Sequence, residues 1–277
     1  MCIRDSYVGV ARARYDLTAS DVMVCIARAS FSISLFELLT PLTVGGTCVI
    51  LDREQVLDFS RLAHALQHVS VIHAGPSLLR GLIAHVDASA PGTYDYSRMR
   101  HASSGGDLVP PEVLEGLRRI FRKAEIFVIY GCSEISVMGC TYEAPRQGQI
   151  DRTYVGAPFP GVRYRVLDEQ RRPVPLGVSG EVYFSGPGVI AGYLNRAELT
   201  AERFCQIDGR RFYNTGDVGR ICANGQLQLL GRLDFQVQIR GMRVELGEIE
   251  HALRRMPELR DAVVSARPDR SLSLIHI

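Results

Sequence analysis

Gly231-Arg-Leu-Asp-Phe-Gln-Val-Gln-Ile-Arg-Gly-Met-Arg-Val-Glu-Leu-Gly-Glu-Ile-Glu250 joins a charged turn, a short β-like run and the opening of an amphipathic helix, with glycines where the backbone can bend. Such dense punctuation reads as a junction between domains. Most of the chain precedes it and a short tail follows, so the second domain is expected to lie almost wholly outside this sequence. Just downstream, Ile249, Ala252, Leu253 and Met256 fall at i, i+3, i+4 and i+7, the spacing of one helical face.

Upstream of the junction, from about Val155, turn residues separate short β-rich runs: Val162–Leu167, Gly180–Phe184, Val218–Cys222 and Leu227–Leu230. Asn224-Gly225 between the last two is a two-residue hairpin signal. Helical periodicity is absent here, and a small barrel-like β subdomain is expected. Earlier still, the chain alternates. Val22–Ile26, Thr47–Leu51, Val69–His73 and Ala124–Ile129 read as buried strands; Ser34–Thr43, Phe59–His68 and Pro111–Lys123 read as helices. Leu62, Ala65, Leu66 and Val69 are expected on one helical face. This β-α rhythm predicts an α/β layer with a mostly parallel sheet. The expected divisions are 7–154 for the α/β part, 155–233 for the β-rich part and 234–270 for the start of a mobile C-terminal subdomain. Residues 1–6 and 271–277 resemble translated sequencing-adapter tails and are set aside as non-native ends.

The chain of 277 residues carries a formal net charge of +2, with 32 Lys and Arg against 30 Asp and Glu. That balance lacks the basic excess that drives nucleic-acid or membrane-surface binding. Seven scattered cysteines without a C-x-x-C pair suggest neither a disulfide framework nor a zinc site, and a reducing, cytoplasmic compartment fits. No apolar run approaches the roughly 20 residues of a membrane span.

Four stretches carry chemistry. In Ile129-Tyr-Gly-Cys-Ser-Glu134 a strand ends on a tight turn, at the end of an α/β strand where ligands usually bind. Ser133 there can donate to a phosphate, and Glu134 can hold Mg²⁺, a hard cation that takes oxygen ligands. Ser103-Ser-Gly-Gly-Asp107 offers glycine-freed backbone N–H groups to a nucleotide. Asp217, on the turn of Tyr213-Asn-Thr-Gly-Asp-Val218, can accept from both hydroxyls of a ribose, with Arg232 donating from its rigid fork. Gly180–Leu194 is glycine-punctuated. Taken singly, each stretch is also an ordinary turn or barrel corner.

Jointly, in this order and followed by GRLDFQVQIRGMRVELGEIE, they resemble the adenylate-forming superfamily, and most closely the adenylation domains of nonribosomal peptide synthetases. The resemblance runs from about Tyr15 to Arg267. It implies a partial acetyl-CoA synthetase-like fold and a two-step reaction: ATP-dependent formation of an acyl-AMP, then transfer to a phosphopantetheine thiol on a peptidyl carrier domain, with a condensation domain as a neighbour. By the same resemblance Tyr130 would stack on adenine, which Gly105, Gly106 and Asp107 would border. Ser133 would contact phosphate, Glu134 would hold Mg²⁺, Asp217 and Arg232 would bind ribose, and Asp234 would be the hinge. The substrate pocket would comprise Ser32, Ile33, Phe36, His73, Ser103, Gly105, Ile129, Val137 and Met138. Related possibilities are a stand-alone acyl- or aryl-CoA ligase and a degenerate, non-catalytic nucleotide-binding module.

Departures matter as much. The phosphate loop with its lysine and the C-terminal catalytic lysine are expected outside this stretch, which alone should not turn over. Cys132 stands where the family has proline and Gln238 where it has lysine. In Phe31-Ser-Ile-Ser34, Ser32 stands where amino-acid-activating relatives have an aspartate for the α-ammonium. Without that charge the substrate is expected to be an aryl, hydroxy, keto or β-amino acid, or an α-amino acid whose charge is met elsewhere. His73 reads equally as a pocket group and as a hydrogen-bonded core histidine.

Overall fold

The structure is a computed structural model and describes residues 3–233, 236–239, 242–256, 258–259 and 261–266. In its first part helices α1 (Ile3–Arg14), α2 (Ser34–Leu42), α3 (Arg53–Leu57), α4 (Phe59–Leu66), α5 (Pro76–Ala88) and α6 (Pro111–Ile120) alternate with strands. The strands are β1 (Val22–Cys25), β2 (Thr47–Ile50), β3 (Val71–Ala74), β4 (His101–Gly105), β5 (Glu125–Tyr130), β6 (Cys140–Glu143) and β7 (Ala157–Pro158). They form one seven-stranded sheet in the order β2-β1-β3-β4-β5-β6-β7. The first five are parallel, and β6 and β7 add antiparallel.

Strand β5 shows why the sheet is covered on both faces. Its side chains alternate: Ile126 and Val128 pack with Leu62 and Leu66 of α4, Leu79 of α5 and Leu117 of α6. Phe127 and Ile129 face the other way, against Ala11 of α1 and Phe36 of α2. The helices start where the sequence provides caps. Asp52 and Gln55 exchange side-chain-to-backbone bonds as a capping box for α3, and Asp58 caps α4. Pro76 and Pro111 occupy first-turn positions where a missing N–H is no loss. Beneath the amino ends of β1, β3 and β4, the buried Asp21 accepts from Ser70 Oγ at 2.7 Å and from Arg100 Nε at 3.0 Å. The opposite, carboxyl ends are left for the site.

In the second part β8 (Arg163–Leu167), β9 (Gly180–Ser185), β10 (Phe204–Ile207), β11 (Arg210–Ile221) and β12 (Leu227–Arg232) form a five-stranded antiparallel sheet. The barrel-like packing expected here takes the form of an open path β10-β11-β9-β8. The long β11 shifts register against β9 between Asn214 and Val218, pairing β10 through its first residues and β12 through its last. The two sheets meet through Ile135 and Tyr130 of the first part, which pack among Val182, Phe184 and Tyr213. Beyond Arg232, β13 (Gln236–Ile239) and β14 (Met242–Glu245) make a hairpin that leads into α8 (Leu246–Arg254).

Several expectations need correction. Helix α1 (Ile3–Arg14) precedes the first element read from the sequence, and its Val8 and Ala11 join the core. Helix α7 (Ala197–Arg203) interrupts the stretch read as free of helix; seven residues are too few to display a period. Helices α4 and α6 end at Leu66 and Ile120, two and three residues early, and Ala63 is buried in place of Ala65. On α8 the face read as apolar is largely exposed: Ile249 is 40% and Met256 48% accessible, and only Leu246 of that helix is buried. Among the described residues no helix is long and apolar enough to cross a membrane.

Candidate functional site at the carboxyl edge of the parallel sheet

Ser32, His73, Ser103–Asp107 and Ile129–Glu134 lie at or beyond the carboxyl ends of β1, β3, β4 and β5, the edge at which open α/β sheets bind ligands, while Asp217 and Arg232 sit opposite each other on β11 and β12 of the second sheet. The turn after β5 is wound unusually tightly. Val137 N–H donates to Cys132 O at 2.8 Å, Gly139 N–H to Tyr130 O at 3.0 Å, and Met138 N–H to Ser136 O at 2.8 Å. The last contact spans two residues, and Val137 between them has φ +69°, which makes a strained γ-turn on a β-branched residue. Ser136 before it is also left-handed, at φ +57°. Gly131 makes the winding possible, because a Cβ there would lie 1.7 Å from Val137 O.

Inside this turn a short 3₁₀ segment, Ser133–Ile135, presents Glu134 with 6% of its surface accessible. Tyr193 Oη donates to Glu134 Oε1 at 2.7 Å, and Ile190 N–H to Glu134 O at 3.0 Å. Ser136 Oγ donates to Gly188 O at 2.8 Å. The glycine-punctuated stretch therefore braces the Glu134 turn from the second sheet. Sequence reasoning missed Tyr193; the signal was present in that stretch, which offered only a corner when read by itself. Tyr193→Phe is expected to lower the urea midpoint of the chain by the equivalent of about 1–2 kcal/mol, since the bond goes to a carboxylate.

Across the same gap Tyr130 Oη donates to Asp217 Oδ2. Asp217, buried, also accepts from Arg232 Nη1 at 2.6 Å. The guanidinium continues to Thr215 O at 2.9 Å and Gln236 Oε1 at 2.7 Å. Gln236 Nε2 in turn donates to Glu245 Oε1, the residue opposite it in the β13–β14 hairpin. Tyr130, Asp217 and Arg232 thus come together as one chain of hydrogen bonds. Burial, and next the Asp217 charge, hold the Tyr130 phenol well above its usual range, so it stays a donor. Thr215 and Gln236 lie within the quoted motif stretches but had no role of their own in the sequence reading. Asp234, expected as the hinge, lies outside the described residues.

The residues assigned to a substrate pocket also converge. Ser32 Oγ and Ser133 Oγ are 3.0 Å apart, joining two positions that had separate roles in the sequence reading. Phe36, Ile129 and Met138 are buried in one cluster with Ile33 and Val137 against them. His73 stands edge-on to Phe36, with ring centroids 6.0 Å apart, and its Nδ1 lies 2.9 Å from Ser103 Oγ. Gly105 must lack a side chain, because a Cβ would lie 2.2 Å from Ile129 O. Gly106 takes φ +77°. Asp107 accepts from the neighbouring Leu108 N–H at 2.7 Å, and burial raises its carboxyl above the usual range; no hydrogen bond joins it to the Tyr130 chain among the described residues.

The loop that carries Ser32 hangs on a buried carboxylate. Glu37 Oε2 accepts from Ile26 N–H at 2.7 Å and Ala27 N–H at 2.8 Å, and burial pushes its pKa up from 4.5 to about 7. The folded chain therefore holds a proton that the unfolded chain releases between those values. This contribution is complete below pH 4.5 and is lost as pH rises through about 7. Glu37→Gln keeps an acceptor oxygen and removes the titration. Urea midpoints measured from pH 4.5 to 8 should fall for the parent relative to this variant, and parallel profiles would contradict the assignment.

A family model for AMP-binding enzymes matches residues 4–194. The chain belongs to the AMP-binding enzyme family. Malpibaldin synthetase of Mortierella alpina is 37% identical to it over 269 residues, 92% of this chain and 5% of that protein. Among solved structures, the Vibrio cholerae adenylation domain AlmE, in complex with glycyl-adenosine-5'-phosphate, superimposes with a TM-score of 0.81 at 25% identity, covering 90% of this chain and 47% of that one. An artificially fused adenylation–PCP di-domain, NpsA-ThdA of Klebsiella oxytoca, gives a TM-score of 0.77 at 27% identity over 94% of this chain and 50% of that one. The chain thus spans about half the length of these structures and a small part of the synthetase.

Proposed function

We propose that the full-length protein activates a carboxylic acid with ATP as an acyl-AMP, releasing pyrophosphate, and passes the acyl group to the phosphopantetheine thiol of a peptidyl carrier domain in nonribosomal peptide synthesis. A condensation domain is the expected neighbour. The observation that carries this reading is the convergence of Glu134 and the Tyr130–Asp217–Arg232 chain at the carboxyl edge of the parallel sheet. An ionised carboxylate accepts about four hydrogen bonds, which suits Asp217 to holding protein donors and a ribose diol together. Arg232 pairs with that carboxylate and orients it. Tyr130, Gly105, Gly106 and Asp107 would border the adenine, Ser133 would donate to phosphate, and Asp234 would be the pivot of the C-terminal subdomain.

Among the described residues no group of three or more His, Cys, Asp or Glu is placed to hold a metal ion. Glu134 suits Mg²⁺ all the same, because that ion is bound through one or two carboxylates plus substrate phosphates. When bound, Mg²⁺ supplies neutralisation of charge on the phosphates. The chain's own contribution is to fix Glu134 through Tyr193 and to position the acid beside Ser32 and Ser133, since phosphoryl and acyl transfer depend on orientation and electrostatics more than on covalent help.

Carboxylate-dependent exchange of labelled pyrophosphate into ATP by the full-length protein tests the proposal, over amino, hydroxy, keto and aryl acids. Acids without an α-ammonium are expected to be the better substrates, because an ammonium beside Ser32 has no counter-charge from that side chain. Ser32→Asp is expected to shift exchange toward α-amino acids by about tenfold or more. Failure of every acid to support exchange would sink the function; exchange confined to α-amino acids would sink the reading of Ser32.

A further inference from the structure

Strand β11 bulges where it carries Asp217. Asn214 pairs with Tyr183 of β9 and Val218 with Glu181, so Thr215, Gly216 and Asp217 stand opposite Val182 alone. The surplus lets the backbone leave the ladder and bring Asp217 against Arg232 of β12. Side chains hold the bulge. Asn214 Oδ1 accepts from Gly216 N–H at 2.9 Å, an Asx turn, and Gly216 takes φ +75°. Thr215 Oγ1 accepts from Asp217 N–H at 3.0 Å and donates to Val182 O at 2.9 Å.

Asn214 is in turn fixed from the other face of the sheet, where Tyr183 packs with Leu167 and Phe212. Its Nδ2 donates to Glu181 Oε2 at 2.6 Å and to Tyr183 Oη at 3.0 Å, and Tyr183 Oη donates to the same carboxylate oxygen at 3.0 Å. An amide can meet that acceptor only through its NH₂ group, which leaves Oδ1 for Gly216. A single peptide unit joins this support to the site. Its N–H goes to Asn214, and its carbonyl, that of Thr215, accepts from Arg232 Nη2 at 2.9 Å. N–H and C=O point opposite ways in a trans peptide, so turning the unit over would withdraw the carbonyl and aim a donor at the guanidinium.

We propose that Asn214, held by Glu181 and Tyr183, is a positioning residue for nucleotide binding: it sets the Thr215–Gly216 peptide, and through it the Arg232–Asp217 pair. The inference rests on the ribose role proposed for Asp217 and adds a support for it that does not touch the ligand.

The test compares ATP with 2'-deoxy-ATP in pyrophosphate exchange by the full-length protein on its best acid. The parent is expected to show a KM at least about tenfold higher for the deoxy nucleotide, which lacks one hydrogen bond to a charged group. Asn214→Ala should raise the KM for ATP by about tenfold, and that for 2'-deoxy-ATP much less, with kcat nearly unchanged. A role confined to stability would move both nucleotides together. Asn214→Asp keeps the turn's acceptor but sets a second carboxylate against Glu181, and should also lose discrimination. Adding Glu181→Gln supplies a donor to that aspartate and should restore discrimination to within about threefold of the parent. This rescue carries the test if Asn214→Ala no longer unfolds cooperatively. Parental discrimination that survives in both Asn214 variants, KM values that rise equally for both nucleotides, or a double variant no better than Asn214→Asp overturns this inference alone. A parent that uses both nucleotides equally overturns it together with the ribose role of Asp217, and absence of exchange with every acid overturns it together with the proposed function.

Discussion

Asp217→Ala is expected to destabilise the chain by about 3 kcal/mol, because it breaks a largely buried ion pair from one side. The carboxylate and guanidinium side chains are 12% and 21% exposed. Without the carboxylate, Arg232 keeps its contacts to Thr215 O and Gln236 but loses the Asp217 charge, and Tyr130 Oη loses the Asp217 oxygen it donates to. Asp217→Asn retains acceptor capacity without charge and should fall between parent and alanine variant. Urea unfolding of the 277-residue chain measures both; an alanine variant within about 0.5 kcal/mol of the parent would show that the pair is solvated. In the full-length protein the same change should weaken nucleotide binding by about a hundredfold, as expected for losing two hydrogen bonds to a charged group. Unchanged affinity for AMP would remove Asp217 from the ribose site.

Gly131→Ala is expected to be at least as damaging. The added Cβ would lie 1.7 Å from the Val137 carbonyl oxygen, 2.2 Å from its carbon and 2.9 Å from its Cα, so it meets backbone that no rotamer change can clear. Forcing atoms into filled space typically costs 1–3 kcal/mol and more where backbone must move; about 3 kcal/mol or above is expected here. Gly148→Ala is the control. It has a left-handed φ of +82° but open space around it, so only conformational strain of about 1 kcal/mol applies. Exchange by the full-length protein should fall by about a hundredfold in the Gly131 variant, because a displacement of roughly 1 Å at a reacting centre has that effect. Equal unfolding midpoints for the two variants would contradict the close approach.

Much of this architecture is written in local patterns. Four of the five parallel strands announce themselves as apolar runs, whereas β4 takes in Ser103–Gly105, read from sequence as a glycine-rich turn; Asp58 caps α4, and Pro111 sits in the first turn of α6. Asn224-Gly225 does mark the β11–β12 hairpin, but not as a two-residue turn: Gly225 N–H donates to Cys222 O at 2.8 Å, which puts Ala223 and Asn224 at the centre and Gly225 after them at φ +76°. What stayed hidden is mostly tertiary. Nothing in the spacing of Ser32 and Ser133, 101 residues apart, says that their hydroxyls meet. Tyr193 reaches Glu134 over 59 residues, and its tyrosine is an unremarkable residue in a glycine-rich corner until the two sheets are put together. Helices α3 and α7 are short enough that a cap or a single turn decides them, which periodicity does not detect. Single motifs could not separate a nucleotide site from ordinary turns; only their order did.

Arg232 holds the carboxylate of Asp217 with one nitrogen and Gln236 of the downstream hairpin with another. A ligand that draws on Asp217 changes how strongly the guanidinium is pulled toward the sheet, and so how firmly it grips the hairpin. By reciprocity, whatever repositions the hairpin must change the affinity of that ligand by the same factor. Under the proposed ribose role of Asp217, occupancy there and the posture of the β13–β14 hairpin become two readings of a single equilibrium, with the Arg232 side chain as the shared term.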